Sequence, residues 1–135
     1  MSGRKSILLV DDDIAVREAL GNALETENYH VLRASNGEEA MREFLNNEID
    51  IALLDLNLGS ESGWDIFRQL TNVRPLLSTI IISAEPGRFS NPLAPKVDAL
   101  MEKPLNLSIL FNTLNQFASE SAESRSRRRE TSAVV

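Results

Sequence analysis

The sequence contains no cysteine among its 135 residues, so it has no disulfide framework, no thiolate metal site and no cysteine nucleophile. It also lacks long apolar runs, because a segment such as TIII (79–82) is far shorter than the roughly 20 residues that cross a bilayer. The first residues, MSGRKS, lead into an apolar segment too short for a secretion signal. These absences predict a cytoplasmic protein without membrane contact.

Basic residues are outnumbered: 14 Lys and Arg stand against 20 Asp and Glu, and the net charge is −6. This balance argues against direct nucleic-acid binding by the folded domain and favours a site that attracts cations. The apolar fraction of 42% and the charged fraction of 25% are typical of a soluble globular protein. The length predicts one domain.

Short aliphatic runs alternate with longer segments of helical period. Strands are predicted at 6–10, 30–35, 49–56, 78–84 and 98–103, and helices at 14–27, 36–48, 63–70 and 107–118. Near-continuous aliphatic strands separated by helices predict an α/β fold, a doubly wound five-stranded parallel sheet with helices on both faces. Ligands of such sheets bind beyond the carboxyl ends of the strands, so the chemistry is expected there.

The helical segments carry apolar residues at helical spacing. The predicted buried face of the first helix carries Ile14, Ala19, Leu20, Ala23 and Leu24, and that of the second carries Ala40, Met41, Phe44 and Leu45. Asp13 precedes the first helix and is predicted to be its N-cap.

Charged and polar residues stand at the predicted strand ends. Asp11 and Asp12 follow the first strand. Asp55, Ser83 and Lys103 end the third, fourth and fifth. Each residue alone also fits a turn, a cap or an ordinary surface position, but their common placement favours a site. Neighbouring carboxylates repel unless a cation or a proton lies between them.

Mg²⁺ fits such a cluster best, because it accepts one or two carboxylates and completes its octahedron with water and phosphate oxygens. An aspartate beside it could attack phosphorus as a carboxylate nucleophile. The ammonium of Lys103 and the hydroxyl of Ser83 would then meet the charge on the transferred phosphoryl oxygens.

These residues lie in motifs that resemble the receiver domain of bacterial two-component response regulators. The motifs are LLVDDD, LLDLNLGSESG, IIISAE and MEKPL. The resemblance covers residues 5 to about 118 and implies a flavodoxin-like strand order of 2-1-3-4-5. A receiver domain is therefore predicted for 1–118. Residues 119–135, SESAESRSRRRETSAVV, lose all hydrophobic period and are predicted to form a disordered charged tail.

The resemblance implies a phosphoacceptor site. Asp55 would accept the phosphoryl group from a phosphohistidine. Mg²⁺ would be held by Asp12, Asp55 and the backbone carbonyl of Asn57, and Asp11 would assist, partly through water.

The resemblance also implies roles for the fourth and fifth strand ends and for partners. Lys103 would contact the phosphoryl group, Ser83 would move toward it, and the bond from Lys103 to Pro104 is expected to be cis. The phosphoryl donor would be a sensor histidine kinase or a phosphotransfer protein, and a downstream protein would be the target. The chain would be a signalling phosphoacceptor and not an enzyme, supporting its own phosphorylation and autodephosphorylation as a monomer or weak homodimer.

The sequence departs from the family pattern at three places. Gly59 stands where proline is usual, and Leu100 where a rotating Tyr or Phe is usual. Pro92 and Pro95 lie in EPGRFSNPLAPKVD (85–98), where a fourth helix is expected, so an irregular or shortened helix is predicted there.

Two of these departures, Leu100 and the proline-rich segment, support the main alternative, a receiver-like module that binds proteins independently of phosphorylation. A phosphohydrolase of the haloacid dehalogenase type is a second alternative, but it needs an aspartate where Asn57 stands. A flavin-binding domain is a third, but the acidic run 11–13 would repel the flavin phosphate.

Overall fold

The computed structural model describes residues 4–84, 92–120 and 123–127, and its main feature is a five-stranded parallel sheet of order β2-β1-β3-β6-β7. In chain order the elements are β1 (Ser6–Val10), α1 (Ile14–Thr26), β2 (His30–Ala34), α2 (Gly37–Asn46), β3 (Ile51–Asp55), β4 (Asn57–Leu58), β5 (Glu61–Ser62), α3 (Gly63–Val73), β6 (Ser78–Ser83), β7 (Ala99–Glu102) and α4 (Leu107–Ala118). When only the five strands of this sheet are numbered along the chain, leaving out the β4–β5 hairpin, their order is the predicted 2-1-3-4-5. The doubly wound α/β prediction is confirmed.

The sheet has a hydrophobic core on each face, because successive side chains of a strand point to opposite sides. In β1, Leu8 and Val10 pack on the side that α2 and α3 cover. Ile7 and Leu9 pack on the side that α1 and α4 cover. All residues of β3 and β6 are buried, which explains why these strands read as continuous aliphatic runs.

Side-chain caps set the helix starts. The Asp13 side chain accepts hydrogen bonds from the backbone N–H groups of Ala15 and Val16, which confirms the predicted N-cap of α1. Asn36 and Asn106 cap α2 and α4 in the same way. Each of these caps lies within a few residues of the end of a strand, so the helices begin near the carboxyl edge of the sheet.

Three burial predictions are wrong. Ala19 is exposed, because the buried residues of α1 are Leu20, Gly21 and Leu24, and Ala19 lies to the side of them on the helix. Ile14 is 66% exposed, because it is the first residue of α1 and lies beyond the end of the sheet. Leu45 is also 66% exposed, because the buried residues of α2 are Gly37, Ala40 and Phe44, a spacing that turns Leu45 away from the core.

The two segments predicted to be irregular are described only in part. Ala94–Lys96 forms a single 3-10 turn, and residues 85–91 lie outside the described residues, so the prediction for 85–98 stays a prediction there. In the predicted tail, residues 123–127 are helical, and Arg125 Nη1 donates to the backbone carbonyl of Leu76 at 3.2 Å. Among the described residues, no helix is long and apolar enough to cross a membrane.

Candidate functional site

Three carboxylates meet at the carboxyl edge of the sheet. Asp11 and Asp12 follow β1, Asp55 ends β3, and the two strands pair in parallel with Val10 opposite Leu54. Each of the three acids offers a carboxylate oxygen, and these oxygens all lie within 4.8 Å of one another. Asp11 and Asp55 are buried, each 4% exposed, whereas Asp12 is open to solvent.

The backbone holds the buried carboxylates in place. The Oδ1 atom of Asp11 accepts a hydrogen bond from the N–H of Asp13 at 2.9 Å, and that of Asp55 accepts from the N–H of Asn57 at 3.0 Å. Arg17 reaches back from α1 and donates to the backbone carbonyl of Asp11 at 2.8 Å. The carboxylates are therefore oriented by the turns that follow β1 and β3.

Lys103 brings the nearest positive charge. Its Nζ donates to Oδ2 of Asp55 at 2.9 Å. The bond from Lys103 to Pro104 is cis, as predicted, and the N–H of Lys103 donates to the carbonyl of Ser83 at 2.9 Å. Ser83 is buried at the end of β6, between the strands that carry Asp55 and Lys103.

Burial and neighbouring charges shift the pKa values of Asp11 and Lys103. Burial raises the pKa of Asp11, the charges of Asp55 and Asp12 raise it further, and the Asp13 N–H and Lys103 oppose the rise only in part. Burial alone would lower the pKa of Lys103, but the hydrogen bond and charge of Asp55 outweigh it, with help from Asp11 and Asp13. The result is a raised pKa, so Lys103 stays protonated at neutral pH.

The chain directly after Asp55 approaches the start of α3 closely. A Cβ at Gly63 would lie 2.5 Å from the carbonyl oxygen of Asp55 and 2.9 Å from Cα of Leu56, so only glycine fits. Gly59 has φ +69° in the two-residue turn of the β4–β5 hairpin, a conformation closed to the proline usual in the family. The departure at Gly59 therefore accompanies a different turn.

The donor set fits a hard divalent cation. Three carboxylate oxygens at this separation, one of them solvent-exposed, suit an ion that keeps some of its waters. A single ammonium cannot neutralise three carboxylates, which leaves excess negative charge at the edge of the sheet.

The structure brings together Asp11, Asp12, Asp55 and Lys103, and it puts Ser83 at the adjacent strand end. Asn57 lies in β4, shortly after the end of β3. Sequence reasoning missed three further features near the site: the close approach at Gly63, the bond from Arg17 to Asp11, and a contact between Glu61 and α2. The Gly63 approach had a local signal, a glycine at the start of a helix, but the other two join residues without any sequence pattern.

A doubly wound sheet with an acidic cluster and a lysine at its carboxyl edge fits the phosphoacceptor class of signalling domains. The chain belongs to the response regulator receiver domain family, whose family model matches residues 7–115.

Similar proteins include whole regulators and isolated domains. The transcriptional regulatory protein GlrR of Escherichia coli is 29% identical over 119 residues, which are 86% of this chain and 27% of GlrR. The response regulator GtcR of Aneurinibacillus migulanus is 32% identical over 105 residues, 76% of this chain and 43% of GtcR. The chain thus spans about a quarter to under a half of these two relatives.

Solved structures share the fold. The response regulator TrrA of Thermotoga maritima, in complex with Mg²⁺-BeF, is 27% identical with a TM-score of 0.78, covering 84% of this chain and 98% of TrrA. A CheY-like receiver domain protein of Methanospirillum hungatei, at 24% identity, has a TM-score of 0.80 and covers 93% of this chain and 99% of its own. The second likeness concerns the fold alone.

Proposed function

We propose that this chain accepts a phosphoryl group on Asp55 from the phosphohistidine of a sensor histidine kinase or phosphotransfer protein, and passes the signal to a downstream protein. The observation that carries the proposal is the arrangement around Asp55: a buried carboxylate within 4.8 Å of two others and 2.9 Å from the Lys103 ammonium. A carboxylate in such surroundings is a suitable nucleophile for phosphorus.

In the proposed reaction, a carboxylate oxygen of Asp55 forms a bond to phosphorus. The bond from phosphorus to the histidine nitrogen breaks, and its electron pair returns to the imidazole. Lys103 offers its ammonium to the transferred oxygens, and the hydroxyl of Ser83 approaches them from the next strand end.

Mg²⁺ is the proposed cofactor, and the residues fit it. Asp12, Asp55 and the backbone carbonyl of Asn57 would hold the ion, and Asp11 would assist, partly through water. When bound, the ion neutralises the carboxylates and the phosphoryl oxygens. The Mg²⁺-BeF complex of the relative TrrA supports this assignment.

Labelling with a small phosphoryl donor tests the proposal. Acetyl phosphate with Mg²⁺ is expected to add one phosphoryl group to the wild-type chain, detected as a mass increase, and none to Asp55→Ala. Asp50→Ala is a matched control, because Asp50 is bonded to the N–H of Ser6 at the opposite edge of the sheet. Failure of the wild type to acquire the label would contradict the proposal.

A phosphorylation-independent binding module remains the second candidate. One observation favours it: Leu100 packs against the core beneath α2 and α3 and is an aliphatic residue where the family carries a mobile aromatic ring. Partner binding measured with and without beryllofluoride, a mimic of the acyl phosphate, separates the two. Unchanged affinity would favour the second candidate.

A further inference from the structure

The β4–β5 hairpin carries part of the proposed site but has little stability of its own. Each strand is two residues long, and Asn57 pairs with Ser62 and Leu58 with Glu61. An isolated hairpin of this size is not stable in water. Contacts with the rest of the domain must therefore hold it.

Two of those contacts lie within the site itself. The N–H of Asn57 donates to Oδ1 of Asp55. The turn lies against Asp12, because a Cβ at Gly59 would be 3.7 Å from Oδ2 of Asp12. Both contacts involve carboxylates that would also bind a cation. The position of the hairpin through these two contacts therefore depends on whether the cation is bound.

Leu58 of β4 is buried in the core and also holds the hairpin, and a further polar contact lies outside the site. Oε1 of Glu61 accepts a hydrogen bond of 2.9 Å from the N–H of Gly37, the first residue of α2. The approach is so close that a Cβ at Gly37 would lie 2.6 Å from Oε2 of Glu61. The carboxylate sits at a helix N-terminus, where an unpaired N–H and the helix dipole favour a negative charge.

We propose that Glu61 is a positioning residue of this site: its bond to Gly37 anchors the β4–β5 hairpin on α2 and thereby holds the backbone of Asn57 beside Asp12 and Asp55. The inference rests on the proposed function, since it concerns the same site. Glu61 itself is a residue that acts through the hairpin and does not touch the phosphoryl group.

Mg²⁺ affinity is the direct test, and it does not depend on phosphotransfer. Trp64, the only tryptophan in the sequence, is buried directly after the β4–β5 hairpin and Gly63, and its fluorescence therefore reports on the hairpin. Glu61→Ala is expected to weaken Mg²⁺ binding by roughly tenfold, the low end for losing a group that orients a metal ligand. Glu61→Gln keeps an acceptor oxygen and is expected to bind Mg²⁺ within about twofold of the wild type.

Asp65→Ala is the matched control. It removes one exposed acidic charge from the first turn of α3, where Asp65 pairs with Arg68 at 2.6 Å, and it leaves the contact between Glu61 and Gly37 intact. Its Mg²⁺ affinity is expected to equal that of the wild type.

Labelling by acetyl phosphate gives the second readout. At saturating donor and Mg²⁺, Glu61→Ala is expected to label several-fold more slowly than Glu61→Gln, at a temperature where both are folded by circular dichroism.

Three results would overturn the inference: wild-type Mg²⁺ affinity in Glu61→Ala, equal losses in Glu61→Ala and Asp65→Ala, or no rescue by Glu61→Gln. A wild type that binds Mg²⁺ but does not label would instead overturn the proposed phosphotransfer. The Mg²⁺ affinities would still decide the role of Glu61.

Discussion

At the scale of single residues, Asp11 is a buried carboxylate whose ionised form is unfavourable in the folded chain. Its raised pKa means that the folded state binds a proton more tightly than the unfolded state does. The free energy of unfolding therefore falls as the pH rises from 3.8, the ordinary pKa of an aspartate, through the raised pKa of Asp11. At neutral pH the whole of this destabilisation is present. Asp11 thus lowers stability in order to supply negative charge to the site.

Replacing Asp11 by Asn is expected to stabilise the protein in the absence of divalent cations. The amide oxygen can still accept from the Asp13 N–H, while one of three repelling charges is removed. We expect the free energy of unfolding at pH 7 to increase by on the order of 1 kcal/mol, measured by urea denaturation in EDTA. Added Mg²⁺ is expected to stabilise the wild type more than the variant. A variant less stable than the wild type in EDTA would contradict this account.

At the scale of secondary-structure elements, the start of α2 depends on a small network of polar side chains. Oε1 of Glu39 accepts hydrogen bonds of 2.7 Å from both the N–H and the hydroxyl of Ser35, and Asn36 caps the helix by accepting from the N–H of Glu39. The two Ser35 bonds hold the pKa of Glu39 below its ordinary value of 4.5. The ionised form of Glu39 therefore stabilises the fold.

Glu39→Gln is expected to reveal this contribution through its pH dependence. Because the folded-state pKa is lowered, the stabilisation is complete above pH 4.5 and is lost as the pH falls through the lowered value. At pH 7 the variant should be less stable by about 0.5 kcal/mol, a typical effect of removing a negative charge from the first turn of a helix. Chemical denaturation at pH 7 and at pH 3 measures the difference in the free energy of unfolding between the wild type and the variant, and this difference should be smaller at pH 3. A difference that does not change with pH would rule out the charge of Glu39 as its cause.

The sequence was sufficient to predict the regular elements of the sheet. The closing helix was predicted at 107–118 and runs over Leu107–Ala118, because its apolar spacing is regular along its whole length. The β4–β5 hairpin was missed, because strands of two residues are too short to show a period. The burial of Ile14 was predicted wrongly, because helical spacing does not reveal where the sheet ends.

The candidate site was also partly predictable. Residues at strand ends converge in any parallel sheet, so the proximity of Asp11, Asp12 and Asp55 follows from the strand pattern. The contact between Glu61 and Gly37 spans 24 positions and depends on the orientation of a loop, which no local pattern encodes.

At the scale of the whole molecule, we propose that residues 1–118 are the functional domain and that the segment after them is dispensable for its chemistry. Among the described residues after 120, Arg125 makes one contact that joins this segment to the domain, its hydrogen bond to the carbonyl of Leu76.

A chain ending at Glu120 is expected to fold and to label as the full chain does. It should lose about 1 kcal/mol of stability, the typical value of one hydrogen bond. Thermal melting of the truncated chain and of full-length Arg125→Ala gives the comparison, and both should melt at a lower temperature than the wild type. Loss of labelling on truncation would place part of the functional domain beyond residue 120.

The bond from Arg125 to Leu76 also determines where attached groups would sit. Leu76 precedes β6, and the edge of the sheet that carries Asp55 lies at the other end of that strand, roughly 20 Å away at 3.3 Å per residue. A dye or an affinity handle attached near residue 127 would therefore start on the side remote from Asp55. Immobilising the protein on a surface through residue 127 should leave the sheet edge that carries Asp55 facing the solution. Phosphoryl donors in the buffer could then reach it.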